Sequence, residues 1–103
     1  MTIFALSTGP GTSGIAVIRI SGEETSKIIK LLTGKAIPKP RVATLRKINK
    51  INTSELIDEG LILWFPGPES YTGEDMAEIQ VHGSKAVVDA LHFSLSVIEN
   101  CRL

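Results

Sequence analysis

The sequence is poor in several residue types, and each shortage excludes a class of protein. Cys101 is the one cysteine in 103 residues, so an internal disulfide is impossible and a reducing compartment is favoured. Aromatic residues make up 5% of the chain, too few for the stacking platforms that bind single-stranded nucleic acid. No run approaches the ~20 apolar residues of a membrane span, and the first residues lack the basic segment of a signal peptide. We therefore predict a cytoplasmic protein without a membrane segment.

Charge is balanced overall but unevenly distributed along the chain. Eleven basic residues match eleven acidic ones, so the chain as a whole has no electrostatic attraction for DNA or RNA. Residues 25–54 contain no acid but eight of the lysines and arginines. Such a block is either a surface for a partner or a phosphate, or simply a solvated face. The apolar content of 43% is ordinary for one small globular domain.

Neither common nucleotide-binding pattern is satisfied. Gly34-Lys35 has no glycine five positions earlier and no Ser or Thr after it, as a phosphate-binding loop requires. Gly9, Gly11 and Gly14 match G-x-G-x-x-G, but a strand and not a helix follows, so no helix N-terminus awaits a pyrophosphate. No group of His, Cys and acidic residues has zinc spacing. The residues alone therefore predict a binding or assembly domain, with no catalytic or metal-binding residue.

The most informative stretch runs from Phe65 to Gly83. Its first part, residues 66–75, is dense in Pro, Gly, Ser and Asp, which predicts an ordered loop. Residues 76–82 alternate between apolar and polar, which predicts a strand with one buried face. The other face of that strand presents Glu78, Gln80 and His82. Gly83 and Ser84 then begin a helix.

The apolar patterns predict the order β-β-α-β-β-β-α. The strands are expected at Thr2–Ser7, Gly14–Ser21, Arg41–Ile48, Leu56–Phe65 and Met76–His82. Residues 61–65 are apolar on both faces, which predicts a central strand covered above and below. The fold class is α+β, with a mixed sheet of about five strands and two main helices packed mostly on one face.

Each helix has predicted ends and a predicted inner stripe. The first is expected to be capped by Ser21 or Gly22, to hold Glu23 and Glu24 in its first turn, and to end at Gly34. Its inner stripe is predicted to be Ile28, Leu31 and Leu32, with Ile29 beside them. The second is expected from Ser84 to Cys101, with Val87, Leu91, Leu95 and Ile98 inward and Cys101 buried near its end.

Two charged residues interrupt strand faces that are otherwise apolar or neutral. Arg19 lies on the second strand and Glu78 on the fifth. A half-buried arginine requires a carboxylate or an anionic ligand, unless its head reaches water at a strand end. If the two faces converge, the spacing alone favours a mutual salt bridge. The pair could instead bind a polar heterocycle, because a carboxylate accepts two adjacent N–H donors and an arginine donates to a carbonyl or carboxylate.

Several segments resemble the N-terminal domain of the MnmE (TrmE) family of tRNA-modification GTPases. In order, they are RISG at 19–22 after a glycine-rich loop, Pro40-Arg41, Asp58-Glu59, WFPGPESYTGED at 64–75 and EIQVHG at 78–83. The resemblance covers nearly the whole chain, and residues 64–83 are its specific part. The last three residues depart from the Gly-Ala-Arg-like turn of the family.

The resemblance implies a fold similar to the folate-binding domain of glycine-cleavage T-proteins. It also implies that the domain dimerises and binds a tetrahydrofolate one-carbon donor, such as the 5-formyl form, near the dimer interface. The family's folate-contacting arginine falls on Arg19 and its glutamate on Glu78, while its lysine contacts fall beyond Leu103. Residues 73–75 and His82-Gly83 match the family as well, with supporting roles in shaping the loop and the helix start.

The resemblance further implies that residues 1–103 are the N-terminal folate-binding and dimerisation domain of a longer chain. GTP, Mg²⁺ and K⁺ would belong to the GTPase domain, which is absent here together with the helical domain, and Cys101 does not match the family's C-terminal cysteine. Full-length members act with the flavoprotein MnmG on the wobble uridine of tRNA. We expect a homodimer without enzyme activity of its own. The alternative is a purely structural dimerisation or partner-docking module without a ligand.

Overall fold

Alternating apolar residues build a sheet that is buried on one face. The structure, a computed structural model, describes residues 1–7, 14–51, 53–98 and 101–102, the last by its backbone alone. Its elements are β1 (Thr2–Leu6), β2 (Ile15–Ser21), α1 (Thr25–Thr33), β3 (Thr44–Asn49), β4 (Leu56–Phe65), β5 (Met76–His82), α2 (Lys85–Ser96) and β6 (Cys101–Arg102). The α+β class, the five predicted strands and the two helices are confirmed. The sequence also predicts a glycine-rich loop at 8–14, of which all but Gly14 lies outside the described residues.

The strands form one sheet in the order β3-β4-β5-β2-β1-β6. Neighbouring strands are antiparallel except β1 and β6, which are parallel, so the sheet is mixed as predicted. The short strand β6 stands where the sequence predicted the end of the second helix. That prediction was wrong because Cys101 pairs with Thr2 of β1, a long-range contact that overrides the local helical pattern. Cys101 is nevertheless buried, as predicted, and burial raises the pKa of its thiol.

Both helices pack on the same face of the sheet. The inward residues of the two central strands are Ala16, Ile18 and Ile20 on β2 and Ala77, Ile79 and Val81 on β5. They form a single core cluster with Ile28, Ile29 and Leu32 of α1 and with Leu91 and Leu95 of α2. Removal of this apolar surface from water is the main stabilising contribution to the fold.

The opposite sheet face, which we call the open face, has no helix over it in the described part of the chain. It carries the alternate residues of the strands, among them Val17, Arg19, Leu61, Leu63, Glu78 and Gln80. Ile15 and Leu45 are both 58% exposed. The prediction that residues 61–65 are covered above and below was therefore wrong, because both helices occupy the other face.

The first helix begins and packs differently from the prediction. Gly22 has φ +139° and lies against Thr2, and Thr2 Oγ1 accepts a hydrogen bond of 2.8 Å from the Glu24 N–H. Residues 22–24 therefore form a turn, and the helix starts at Thr25 without a side-chain cap. Ile29 is buried in the core, whereas Leu31, predicted to face inward, is 38% exposed. The predicted end at Gly34 is confirmed by its left-handed φ of +65°.

Candidate ligand-binding site on the open face

Arg19 and Glu78 face each other at the centre of the sheet. They are directly opposed in the β2–β5 register, which brings their Cβ atoms to about 5 Å. Arg19 Nε donates to Glu78 Oε1 over 3.0 Å. The salt bridge that the spacing favoured is thus present. The Glu78 side chain is 14% exposed and that of Arg19 is 46% exposed.

This ion pair uses only part of the hydrogen-bonding capacity of its two side chains. Within the described residues, no other protein group hydrogen-bonds to the Glu78 carboxylate or to the two terminal nitrogens of Arg19. A carboxylate accepts about four hydrogen bonds and a guanidinium donates five. The pair therefore retains both an acceptor and a donor for a third, polar partner on the open face.

The loop at residues 66–75 folds back toward the pair and is internally hydrogen-bonded. Asp75 Oδ1 accepts from the Gly67 N–H over 2.9 Å, and the Asp75 carbonyl accepts from Gly22 over 2.9 Å. A hydroxyl bond of 2.8 Å joins Thr72 to Ser21 of β2. Gly73 adopts φ +80°, which glycine tolerates at no steric cost. The prediction of an ordered loop shaped by residues 73–75 is confirmed.

The loop places an aromatic ring beside Arg19. The guanidinium carbon lies 5.6 Å from the centre of the Tyr71 ring, within the range of a cation–π contact. Tyr71 also lies 6.4 Å from Phe65, measured between ring centres. An aromatic surface thus continues from the ion pair to the end of β4.

A cleft of about 360 Å³ adjoins this aromatic surface. Its lining residues are Arg41, Phe65, Glu69, Ser70 and Tyr71. The sequence predicted Arg41 as the first residue of a strand, but β3 begins at Thr44. Arg41 instead has φ +62°, and its N–H donates to the Trp64 carbonyl over 2.8 Å. The Pro-Arg dipeptide matched the resembled family, yet nothing in the residue pattern predicted this conformation.

A second polar pair lies at the other end of β5. His82 donates its backbone N–H to Asp58 Oδ2 over 2.9 Å, and its Nδ1 lies 2.9–3.0 Å from both carboxylate oxygens. Burial on its own raises the pKa of Asp58, but hydrogen bonds from His82 and from the Glu59 N–H outweigh it and hold the pKa below its ordinary value. Because an ionised carboxylate only accepts hydrogen bonds, the contact with Nδ1 is a hydrogen bond when Nδ1 is the protonated ring nitrogen. The pair joins β4 to β5, and Ser84 two residues on caps α2 by accepting from the Val87 N–H.

Comparison with known proteins shows the family of this chain. Residues 2–103 match the family model described as the GTP-binding protein TrmE N-terminus. The chain belongs to this family. The resemblance found in the sequence is therefore confirmed.

Individual relatives of this TrmE N-terminal domain come from bacteria and from mitochondria. The tRNA modification GTPase MnmE of Pelagibacter ubique (strain HTCC1062) is 78% identical over 103 residues, which is 100% of this chain and 23% of that protein. The mitochondrial tRNA modification GTPase mss1 of Schizosaccharomyces pombe is 54% identical over 88 residues, 85% of this chain and 18% of that protein. The mitochondrial 5-taurinomethyluridine-[tRNA] synthase subunit GTPB3 of Danio rerio is 45% identical over 101 residues, 98% of this chain and 20% of that protein. The chain thus spans about a fifth of the length of these relatives.

The described part of the TrmE N-terminal domain contains neither a cluster of metal ligands nor a membrane-spanning helix. Within residues 1–7, 14–51, 53–98 and 101–102, no three His, Cys, Asp or Glu side chains come together as metal ligands. Neither α1 nor α2 is long and apolar enough to cross a membrane.

Proposed function

We propose that this TrmE N-terminal domain binds a tetrahydrofolate one-carbon donor through Glu78 and Arg19. The observation that carries the proposal is the Glu78 carboxylate. It is 14% exposed, lies at the middle of an uncovered sheet face, and retains acceptor capacity after pairing with Arg19. A partly buried carboxylate with unused acceptors is a strong attachment point for a ligand with N–H donors.

The side chains around Glu78 fit the pterin ring of a folate. That ring offers adjacent N–H donors, which suit a carboxylate, and a carbonyl, which suits the free nitrogens of Arg19. Tyr71 and Phe65 supply aromatic surface beside the pair on which a flat ring can pack. When bound, the folate would supply a one-carbon unit, while the protein residues hold and orient it.

We also propose that two copies of the chain associate. The support is the apolar part of the open face. Ile15 on β2 and Leu45 on β3 are largely exposed, and the partly buried Leu61 and Leu63 lie on β4, next to β3. Exposed apolar area of this kind is typical of association surfaces. A second copy would remove these residues from water near the Arg19–Glu78 pair, in keeping with a folate site close to the dimer interface.

The larger protein would modify the wobble uridine of tRNA together with the flavoprotein MnmG, in the cytoplasm. The support is family membership and the tRNA-related names of the relatives. GTP, Mg²⁺ and K⁺ would bind elsewhere in that protein. This chain on its own is expected to show no GTP turnover above background in a phosphate-release assay, and clear turnover in a purified sample would contradict that expectation.

A purely structural module is the second candidate function. The observation that favours it is the Arg19–Glu78 salt bridge itself, since each charge already has a partner of opposite sign without a ligand. The two candidates differ in what a mutation at Glu78 does. In a structural module it changes stability or association, whereas in a folate site it changes ligand binding and leaves the dimer intact.

Calorimetric titration with 5-formyltetrahydrofolate separates the two. We expect saturable binding by the wild-type chain and a loss of at least ~100-fold in Glu78→Ala, because two charge-assisted hydrogen bonds disappear. Glu55→Ala is the matched control, since Glu55 is an exposed acid paired with Lys50 away from the site. Sedimentation velocity should give the same dimer for all three chains. Folate affinity that survives in Glu78→Ala would overturn the assignment of Glu78.

A further inference from the structure

Arg41 occupies a backbone conformation that a non-glycine residue rarely adopts. Its φ is +62°, and a hydrogen bond of 2.8 Å from its N–H to the Trp64 carbonyl fixes it beside the end of β4. A left-handed conformation is strained for a residue with a Cβ, and glycine would occupy it without that strain. Such strain persists at functional sites, where the side chain itself is required. The strain at Arg41 therefore points to a function for its side chain.

The Arg41 guanidinium lines the 360 Å³ cleft, and among the residues that the structure describes only its Nη2 donates a hydrogen bond. Nη2 donates to the Glu69 backbone carbonyl, and the Glu69 carboxylate is 3.8 Å away. That carboxylate is 83% exposed, so the ion pair is weak and a better-placed anion can replace it. The planar guanidinium is suited to a carboxylate or a phosphate, which it binds through two parallel hydrogen bonds.

Two of the other four lining residues of the cleft are aromatic. Phe65 and Tyr71 both line it, and their rings are tilted by 57° to each other. A cleft of this volume is large enough for part of a small ligand. A cation beside two aromatic rings fits an aromatic group that carries a carboxylate. A neutral sugar could pack on the rings but would leave the Arg41 charge without a partner, and a metal cation would be repelled by that charge.

The cleft and the Arg19–Glu78 pair are within reach of one ligand. Tyr71 contacts Arg19 on one side and lines the cleft on the other. Arg41 is bonded to β4 at its outer edge, and Glu78 is on β5, the next strand. Two strand spacings make the distance between the two backbones about 10 Å. A bicyclic ring at Glu78 with a second aromatic ring beyond it covers such a span.

We infer that the Arg41 cleft binds the benzoylglutamate end of a reduced folate whose pterin ring lies at Glu78. The inference rests on the proposed folate function and adds a specificity-determining residue to it. Arg41 binds the glutamate carboxylate, Phe65 and Tyr71 pack on the benzoyl ring, and the Glu69 carboxylate competes with the ligand for Arg41. The site would therefore discriminate a folate from a pterin that lacks this tail.

The decisive test compares two ligands on four variants. Calorimetry would measure 5-formyltetrahydrofolate and a tetrahydropterin without the benzoylglutamate group. Arg41→Gly removes the side chain but suits the left-handed backbone, so the fold is retained. We expect it to weaken folate binding about 10- to 100-fold and pterin binding less than about two-fold. Glu69→Gln, which keeps the backbone carbonyl, should tighten folate binding two- to three-fold on the scale of an exposed ion pair.

Two further variants complete the comparison. Arg41→Lys keeps the charge but loses the planar fork, so its folate affinity should fall between those of wild type and Arg41→Gly. Lys47→Ala removes an exposed cation of β3 that does not line the cleft, and it should change neither affinity. Equal weakening of both ligands by Arg41→Gly, or no weakening of either, would overturn the inference. Melting temperatures of all variants check that the fold is retained.

Failure of the folate proposal itself gives a different result. In that case the wild-type chain binds neither 5-formyltetrahydrofolate nor the tetrahydropterin. The cleft is then tested directly with p-aminobenzoylglutamate, by following the Tyr71 ring signals in an NMR titration. Shifts of these signals in wild type that vanish in Arg41→Gly would uphold the cleft as a site for an aromatic carboxylate. An absence of shifts in wild type would overturn it.

Discussion

The Asp58–His82 pair yields a prediction about stability in which the sign is fixed by the structure. The Asp58 side chain is 14% exposed and accepts hydrogen bonds from the His82 backbone and the His82 ring. Asp58→Asn removes the negative charge. It also replaces one carboxylate oxygen with an NH₂ group, which cannot accept a hydrogen bond from His82. One to two charge-assisted bonds are weakened, so the free energy of unfolding should fall by about 2 kcal/mol. For a chain of this size the melting temperature falls by roughly 8–16 °C.

The pH dependence of this difference follows from the direction of the pKa shift. The pKa of Asp58 in the folded chain lies below its ordinary value of 3.8, so the unfolded chain takes up the proton first as the pH falls. The contribution of the carboxylate is therefore complete above about pH 5 and is lost as the pH falls through and below 3.8. Wild type and Asp58→Asn should differ fully at neutral pH and converge in acid.

Thermal unfolding followed by circular dichroism between pH 7 and about pH 2.5 measures both curves. Asp89→Asn is the matched control, because Asp89 is an exposed acid of α2 that pairs with Lys85 over 2.6 Å. Exposed pairs of this kind contribute little, so the control should follow wild type at every pH. Parallel curves for wild type and Asp58→Asn, with a constant gap down to the lowest pH, would refute the reasoning.

Two other substitutions test the packing that positions the site, each against a matched control in urea unfolding. Gly60→Ala places a Cβ 2.2 Å from the Gln80 carbonyl oxygen, so β4 must move from β5, and we expect a loss of about 3 kcal/mol or more. At Gly14, a Cβ would meet no atom of the described residues within 4 Å, so Gly14→Ala should cost little. Leu32→Ala empties a fully buried position of α1 and should cost about 2–5 kcal/mol, whereas Leu31→Ala, one residue away and partly exposed, should cost less than about 1 kcal/mol. Equal losses within either pair would contradict the packing described.

Much of the sheet could be predicted because its signal is local. A strand buried on one face alternates with a period of two, and the predicted bounds of β4 and β5 are those observed. The helix ends were predicted less well because their causes are long-range. Because Gly22 packs against Thr2, α1 begins only at Thr25. Because Cys101 pairs with β1, α2 does not continue to Cys101 and ends at Ser96. Both contacts join residues far apart in the sequence, so no local residue pattern could predict either of them.

The candidate site divides in the same way. Arg19 and Glu78 were predictable because each interrupts an otherwise neutral or apolar face, and a buried charge requires a partner. That they are directly opposed depends on register, which the alternation leaves undetermined because a shift by two residues conserves the pattern. Tyr71 lies in the loop between β4 and β5 and Arg41 in the segment before β3, so neither belongs to a strand whose alternation could place it. The left-handed φ of Arg41 contradicts the ordinary preference of arginine, so local reasoning assigned it to a strand.

The open face links the two proposals made for this domain. Its apolar residues and its ion pair favour different surroundings. Ile15 and Leu45 are stabilised by removal from water, whereas a buried Glu78 requires hydrogen bonds that replace those of water. A second copy alone would satisfy the first demand and leave the spare acceptors of Glu78 without partners. A folate alone would satisfy the second and leave most apolar residues exposed. A folate bound beside a second copy satisfies both, so ligand binding and dimerisation should strengthen each other. Their coupling is reciprocal: the dimer dissociation constant should fall when 5-formyltetrahydrofolate is added, and Glu78→Ala should abolish that change.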